Sequence, residues 1–476
     1  MSHAPKIKLV DAEMFERPVK LRLPFRFGAA TLREAKQAFV RIVLEDDGAR
    51  RSTGMAAELM VPKWFDKSPN LSNADNEDQL RRSLMLAVDA MKLAGMNTAF
   101  GLHVDIEADH HARMAEQGLN GLVASFGLAL INRAVLDALC RLSGRTITAA
   151  INVNLPGLHG ATAPDLDGFD FNSFLSGLRP SRTIAARHTV GLVDAIMTEE
   201  IDAGAALGDG LPESLEQAIE TYGLTFFKVK VSGDIAADLD RLHRIAHLLD
   251  RKVKTYSVTL DGNEQFASAD AVGELFRQVE GDARLAKFAR SILFIEQPIA
   301  RAHAFEKPVE KLRAFRPIEI DESDANMEAF PTARELGYTG ISSKSCKGFY
   351  RSLLNRARVE KWHAEDGKDY FMSAEDLTTQ AGLAVQQDLA LAALIGMGHV
   401  ERNGHHYVDG MAGAPRDEQS RFVNAHGDLY AMSHDAARLK INNGRIELGS
   451  VLDAIGLGSA VEPDWTVMQT MSQGRG

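Results

Sequence analysis

Five short segments between Phe226 and Lys347 end in residues able to do acid–base and metal chemistry. They read FFKVKV (226–231), YSVTLDGN (256–263), ILFIEQP (292–298), PIEIDES (317–323) and TGISSKS (339–345). Three carboxylates, Asp261, Glu296 and Asp321, close successive segments, with lysines one segment before (Lys228, Lys230) and one after (Lys344). Carboxylates at close range repel and raise each other's pKa unless a cation lies between them. An all-oxygen donor set suits a hard divalent ion, and Mg²⁺, with Mn²⁺ as its alternative, leaves positions open for water and substrate. A lysine crowded by other cations becomes a general base near neutral pH. Lys228 and Lys230 alternate on one strand and share a face, so the first cation favours the neutral form of the second. One ion flanked by two bases is what abstraction of a proton α to a carboxylate requires. The ion neutralises the enediolate, and a base removes or returns the proton.

The elements that must hold these groups are strands. Each segment has an apolar or β-branched body that reads as a strand buried on both faces. The separations 230→261→296→321→344 are 31, 35, 25 and 23 residues, about one strand–helix–strand unit each. Strands at that interval, with helical sequence between them, predict a parallel sheet, and five or more predict a closed β/α barrel. Catalytic groups in such barrels sit at the C-terminal strand ends, where these charges lie.

Together the K-V-K of Lys228–Lys230, the D-G-N of Asp261–Asn263, the E-Q-P of Glu296–Pro298, the D-E-S of Asp321–Ser323 and the S-K-S-C-K of Ser343–Lys347 resemble the enolase superfamily. The closer resemblance is to its mandelate racemase/muconate lactonizing enzyme family. It implies an α/β fold, a modified (β/α) TIM-type barrel with an N-terminal α+β capping domain. It implies one Mg²⁺ on Asp261, Glu296 and Asp321, and Lys230 and Lys344 as the acid/base pair, by the superfamily's known mechanism. Glu322, beside Asp321, is the alternative ligand. Asn263 and Gln297 read equally as hydrogen-bonders behind the ligands or as loop caps. Cys346, between Lys344 and Lys347, reads as a small buried residue before it reads as a nucleophile, and Lys347 as a solvent-facing side chain.

The 476 residues are 45% hydrophobic and 25% charged, enough for a large core and more than one domain. A formal charge of −11 without a basic run argues against nucleic acid. Two cysteines, Cys140 and Cys346, point to a reducing compartment. The N-terminus lacks the apolar core of a signal peptide, and no uninterrupted apolar stretch has membrane-spanning length. The expectation is a cytoplasmic enzyme with a small carboxylate substrate, no membrane partner and a symmetric homo-oligomeric assembly.

Three regions follow. Residues 1–145 read as the capping domain, with strands over 6–60, a D-D-G turn, and helices over 78–142 ending at Gly144. By the resemblance, loops around 23–29 and 54–64 would cover the substrate, with Phe25, Arg26, Phe27 and Met55 as candidate contacts. Residues 146–410 read as the barrel, with 151–186 an inserted loop that holds a short helix at FNSFLSGL. The first barrel strand is expected at HTVGLVDA (188–195). Late strands fall at YFMSAEDLTT and HVERNGHHYVDG, placing Glu375, Asp376, Glu401, His405 and His406 near late strand ends where they could touch substrate. Asp376 reads as a residue behind the ligands or on the substrate, and the histidines are favoured in structural or surface roles. Residues 411–476 hold an N-N-G hairpin in 439–458 and a frayed end at MQTMSQGRG, and the resemblance implies that this segment completes the cap.

The reaction expected first is racemisation or epimerisation, and second a cycloisomerase or syn-dehydratase (lyase) reaction on the same site. Lys344 stands where the mandelate-racemase type has histidine, and the D-x-D of dipeptide epimerases is absent. A non-catalytic metal-binding barrel is the reading from another class. Both lysines argue against it, and the lack of histidine at the strand ends through the sixth argues against a metal-assisted hydrolase.

Overall fold

A computed structural model describes residues 4–27, 30–204 and 206–472. The chain opens with three long antiparallel strands, β1 (Ile7–Phe27), β2 (Ala30–Asp46) and β3 (Arg51–Met60), the last two joined through the D-D-G turn. Helices α1 (Asn73–Leu93) and α3 (Gly121–Leu142) cover them, and α2 (Ala99–Glu116) packs on both helices. Ser72 and Asp75 start α1 with a reciprocal capping box. α3 is long and apolar enough to cross a membrane, but its apolar window is wholly buried in this layer, as befits a core helix. Gly54 allows β3 to approach it closely, since a Cβ there would overlap the Ala134 carbonyl oxygen. Asp137 of α3 accepts the Met55 N–H at 3.0 Å.

The second body is a nine-stranded sheet. Its parallel strands are β4 (Thr183–Val190), β5 (Phe226–Lys230), β6 (Ser257–Asp261), β7 (Ile292–Glu296), β8 (Ile318–Ile320), β9 (Gly340–Ser343), β10 (Phe371–Ala374) and β11 (His399–Arg402). They follow the order β10-β9-β8-β7-β6-β5-β4-β11. β10 meets β11 through Asp376, whose N–H donates to Glu401 and whose carboxylate accepts the Asn403 N–H at 2.7 Å. The connecting helices include Leu215–Tyr222, which ends at left-handed Gly223 as its sequence predicts. This is the expected α/β barrel with a strand-and-helix cap.

Local expectations needed correction. Residues 151–186 are not one loop. They hold the end of a helix at Ile147–Asn152, two single 3₁₀ turns, the expected helix at Phe171–Gly177 and the start of β4. Leu158, Leu166, Phe174 and Leu175 are buried and join the main hydrophobic core, so this stretch packs onto the body of the protein. β4 starts before HTVGLVDA and stops at Val190, because Gly191 turns the chain and donates its N–H to Asp194. His405 and His406 lie on a short helix, Gly404–Tyr407, beyond β11 rather than on a strand. The N-N-G segment does turn tightly, with Asn443 and Gly444 at positive φ. The strand after it, Arg445–Glu447, leaves to pair antiparallel with β4 instead of completing a long hairpin. The end of the chain is not frayed throughout, since Gln469–Thr470 pair with β1. Residues 473–476 of that expectation lie outside the described residues.

Candidate active site

Side-chain alternation brings the charges together. Lys228 and Lys230 both point inward from β5, Asp261 and Glu296 end β6 and β7, Asp321 follows β8, and Lys344 follows β9. All six are buried. Lys230 Nζ donates to Asp261 Oδ2. On the other side, Lys344 Nζ donates to Asp321 Oδ2 at 2.7 Å and lies 4.0 Å from Glu296 Oε1. Lys228 Nζ is within 3.0 Å of Asp261, Glu296, Glu375 and Glu401.

The electrostatics divide these acids into two kinds. Burial pushes Glu296 well above the usual carboxylate range, and repulsion from Asp261 and Glu375 adds to it against the pull of Lys228. Glu319 is raised the same way, by burial and Glu375. Asp321 goes well below its usual range. Burial opposes this, but Lys344 and Lys347 outweigh it. Asp261 is lowered by Lys228 and Lys230 against its burial. Lys344 is raised, burial opposing and Asp321 with Glu296 prevailing, so in this charge set it is a held ammonium, not the weakened cation expected among other lysines. Lys228 is raised well above its ordinary value for the same reason, its four acids overcoming burial.

The other predicted residues separate cleanly. Phe25 and Phe27 line a small cavity of about 30 Å³ with Lys230, Asp261, Asn263, Asp321, Lys344 and Asp376. The Phe25 ring sits 6.0 Å below Lys230 Nζ. Asn263 donates its N–H to Asp261 Oδ1 at 2.8 Å, and its own side-chain oxygen has no partner. Gln297 stands behind the site, its Oε1 accepting the Asp321 and Ser323 N–H groups at 2.8 and 3.0 Å, which fixes the turn after β8. Asp376 is fully engaged with Thr379, Asn403 and Gly404. Glu322 is buried but turns toward Lys67 of the cap, 3.6 Å away, and makes no hydrogen bond.

Two of the proposed lid contacts do not reach the cavity. Arg26 is exposed between its inward neighbours, because successive strand residues face opposite ways. Met55 packs under β3 with Phe39, Ala57 and Leu383. Trp64 and Val61, further along the same loop, line the cavity instead, with the Trp64 ring 5.2 Å from Lys344 Nζ. Gly28 and Ala29, at the tip of the first lid loop, lie outside the described residues. Lys347 is not solvent-facing. It is buried, 2.9 Å from Asp321 Oδ1, and donates to Ser342. Cys346 is buried with its thiol pushed well above its ordinary value, chiefly by burial, which fits the small-residue reading.

Residues not foreseen give the barrel a charged interior layer. Arg187 of β4 and Glu319 of β8 are both fully buried. Arg187 ion-pairs with Glu375, and Ser373 donates to Glu319 at 2.9 Å. Among the described residues, Glu296, Glu319 and Glu375 offer ligand oxygens within 4.8 Å of one another. The expected set of Asp261, Glu296 and Asp321 shares only Glu296 with that group, because lysine ammonium groups stand between its members. The spacing i, i+2 from Asp321 was the signal for Glu319. A divalent cation fits the site on a local observation. The buried Glu296 carboxylate has only ammonium groups near its oxygens, Lys228 at 2.6 Å from Oε2 and Lys344 at 4.0 Å from Oε1, with no aligned hydrogen-bond donor on either. The surrounding ligand atoms are hard carboxylate oxygens.

No family model and no curated protein matches the sequence. Solved structures do match the fold along nearly the whole chain. A muconate lactonizing enzyme from Pseudomonas fluorescens, complexed with muconolactone, is 15% identical with a TM-score of 0.58, covering 98% of each chain. A dipeptide epimerase from Cytophaga hutchinsonii, complexed with Mg and D-Ala-L-Val, is 14% identical at TM-score 0.58, over 98% of this chain and 99% of that one. An enolase from Bradyrhizobium with magnesium and mandelic acid is 15% identical at 0.57, covering 97% of each chain. The fold is that of enolase-superfamily structures.

Proposed function

We propose that this chain is a Mg²⁺-dependent enzyme that moves the proton α to a substrate carboxylate, acting as a racemase or epimerase. The observation that carries this reading is the placement of Lys230 on Asp261 and Lys344 on Asp321, on either side of the buried Glu296 carboxylate. Asp261, Glu296 and Asp321 would hold the ion, with Glu319 and Glu375 behind Glu296. Bound there, Mg²⁺ supplies the positive charge that offsets the charge developing on the substrate carboxylate.

The chain's own residues do the proton work. β5 and β9 stand four places apart among the barrel strands, so Lys230 and Lys344 reach a substrate carbon from opposite sides. Each accepts the proton as an amine or returns it as an ammonium, which is what inversion at that carbon needs. Lys228, gripped by Glu375 and Glu401, stays a fixed cation. Phe25, Phe27 and Trp64 wall off water and strengthen every charge interaction inside. A cavity of about 30 Å³ holds about one water, so the cap loops must part to admit a substrate. The reading carries a small carboxylate as partner and a symmetric homo-oligomer. A reducing cytoplasmic setting suits the free, buried Cys140 and Cys346.

The test is solvent-deuterium incorporation into N-acyl amino acids, dipeptides, sugar acids and lactones, with Mg²⁺ and then with chelator. Metal-dependent exchange at an α-carbon is expected. Lys230→Ala and Lys344→Ala should each abolish exchange from a different enantiomer. Elimination or ring closure in the products would assign the cycloisomerase or lyase reaction instead. No exchange alongside intact Mg²⁺ binding would leave the non-catalytic metal-binding barrel, and absent Mg²⁺ binding would sink the site.

A further inference from the structure

A second cavity, of about 240 Å³, opens beside the barrel where the β11 end meets the C-terminal segment. At about 30 Å³ of liquid per water it has room for some eight waters, and so for a small organic molecule. Its apolar wall includes Leu211, Val385, Leu439 and Ile441. Its polar lining includes His434, Arg438 and Lys440 together with Arg402 and His405, the two that carry unpartnered buried nitrogens. Arg402 is 1% exposed and yet not fully used: Nη2 pairs with Asp388 and Nε donates to the Glu401 carbonyl, but Nη1 has no partner. The Nδ1 of His405 is likewise buried and unpartnered, while its Nε2 shares a hydrogen bond with His188 Nδ1 at 3.0 Å. A buried guanidinium N–H without an acceptor is unfavourable, so the arrangement favours an occupant that accepts hydrogen bonds.

We propose that this cavity is a binding site for a small monocarboxylate with an apolar body, distinct from the barrel site. The guanidinium matches a planar carboxylate better than a point charge would. With the shared proton supplied by His188, His405 Nδ1 becomes a second donor to it. The apolar wall takes the remainder of the molecule. The site also has a route to the barrel centre. Thr379 and Gly404 line this cavity, while their neighbours Thr378 and Asn403 line the catalytic one. Asp376 ties the two segments together by accepting from Thr379, Asn403 and Gly404.

The experiment is calorimetric titration of the full chain with benzoate, with acetate and inorganic phosphate as comparison anions. Benzoate should saturate at one per chain, with both comparison anions weaker by about tenfold or more. Arg402→Gln should weaken benzoate by about tenfold or more, and so should Leu439→Trp, which fills the cavity without touching a charge. The second variant keeps the test decisive if Arg402→Gln fails to fold. Lys344→Met, in the barrel, should leave benzoate binding unchanged. Absence of saturable benzoate binding overturns the proposal, as does phosphate binding more tightly than benzoate. So does a binding event lost in Lys344→Met and retained in Leu439→Trp, which would locate benzoate in the barrel site.

Discussion

Lys228 Nζ lies 2.6 Å from Glu296 Oε2 and 2.6 Å from Glu375 Oε2, so one ammonium holds together two acids that burial alone drives toward their protonated forms. Removing that charge leaves an uncompensated cluster inside the barrel. Lys228→Met should destabilise the metal-free chain by about 3–5 kcal/mol in urea unfolding, and added Mg²⁺ should recover part of the loss. A change below about 1 kcal/mol would show that the glutamates already carry protons.

Lys67 reaches from the cap to Glu264 and Glu322 at the barrel mouth. Its side chain is 31% exposed, which limits its contribution to global stability to about 1 kcal/mol. Its effect should be local. Lys67→Met should speed amide hydrogen exchange over residues 61–71 while leaving the barrel strands protected. Unchanged exchange there would assign the closure to Arg301, which donates to the Trp64 and Phe65 carbonyls at 3.0 and 3.1 Å.

Burial lowers His110 to about 4, with the Ala124 carbonyl opposing the shift. The unfolded chain binds this proton near pH 6.5 and the folded chain does not. The contribution of a neutral buried His110 is therefore complete above about pH 6.5 and shrinks as pH falls toward 4. His110→Gln carries no such proton. Its melting temperature should lie below that of the native chain at pH 7.5, by a gap that narrows at pH 5. A constant gap between the two would contradict the assignment.

At Gly54 the β3 backbone lies against the α3 backbone, with the Ala134 carbonyl in the space a Cβ would take. Gly54→Ala should cost about 1–3 kcal/mol through overpacking, read by thermal unfolding. A stabilised variant would mean that the two elements can separate without loss.

The barrel was legible because its motifs recur about one strand–helix–strand unit apart and each strand ends in charge. The pair Lys228/Lys230 was legible because strand side chains alternate. The same rule applied to β8 marks Glu319, two residues before Asp321, but the motif drew attention to the D-E-S end alone. Arg187 was hidden by the late placement of the first barrel strand. Lid contacts were harder, since facing depends on register: Phe25 and Phe27 turn inward, and Arg26 between them cannot. The partner of Arg445–Glu447 lies about 260 positions back in the chain, beyond what a turn signal specifies.

That last pairing gives the tail two anchors. One strand of it lies against β4 in the barrel, and a later one, Gln469–Thr470, lies against β1 in the cap. The final segment is thus a stitch through both bodies, and neither is a detachable module. A cut anywhere between Gly410 and Arg445 would strip an edge partner from each, so transplanting the cap of one such protein onto the barrel of another would have to carry this strap along.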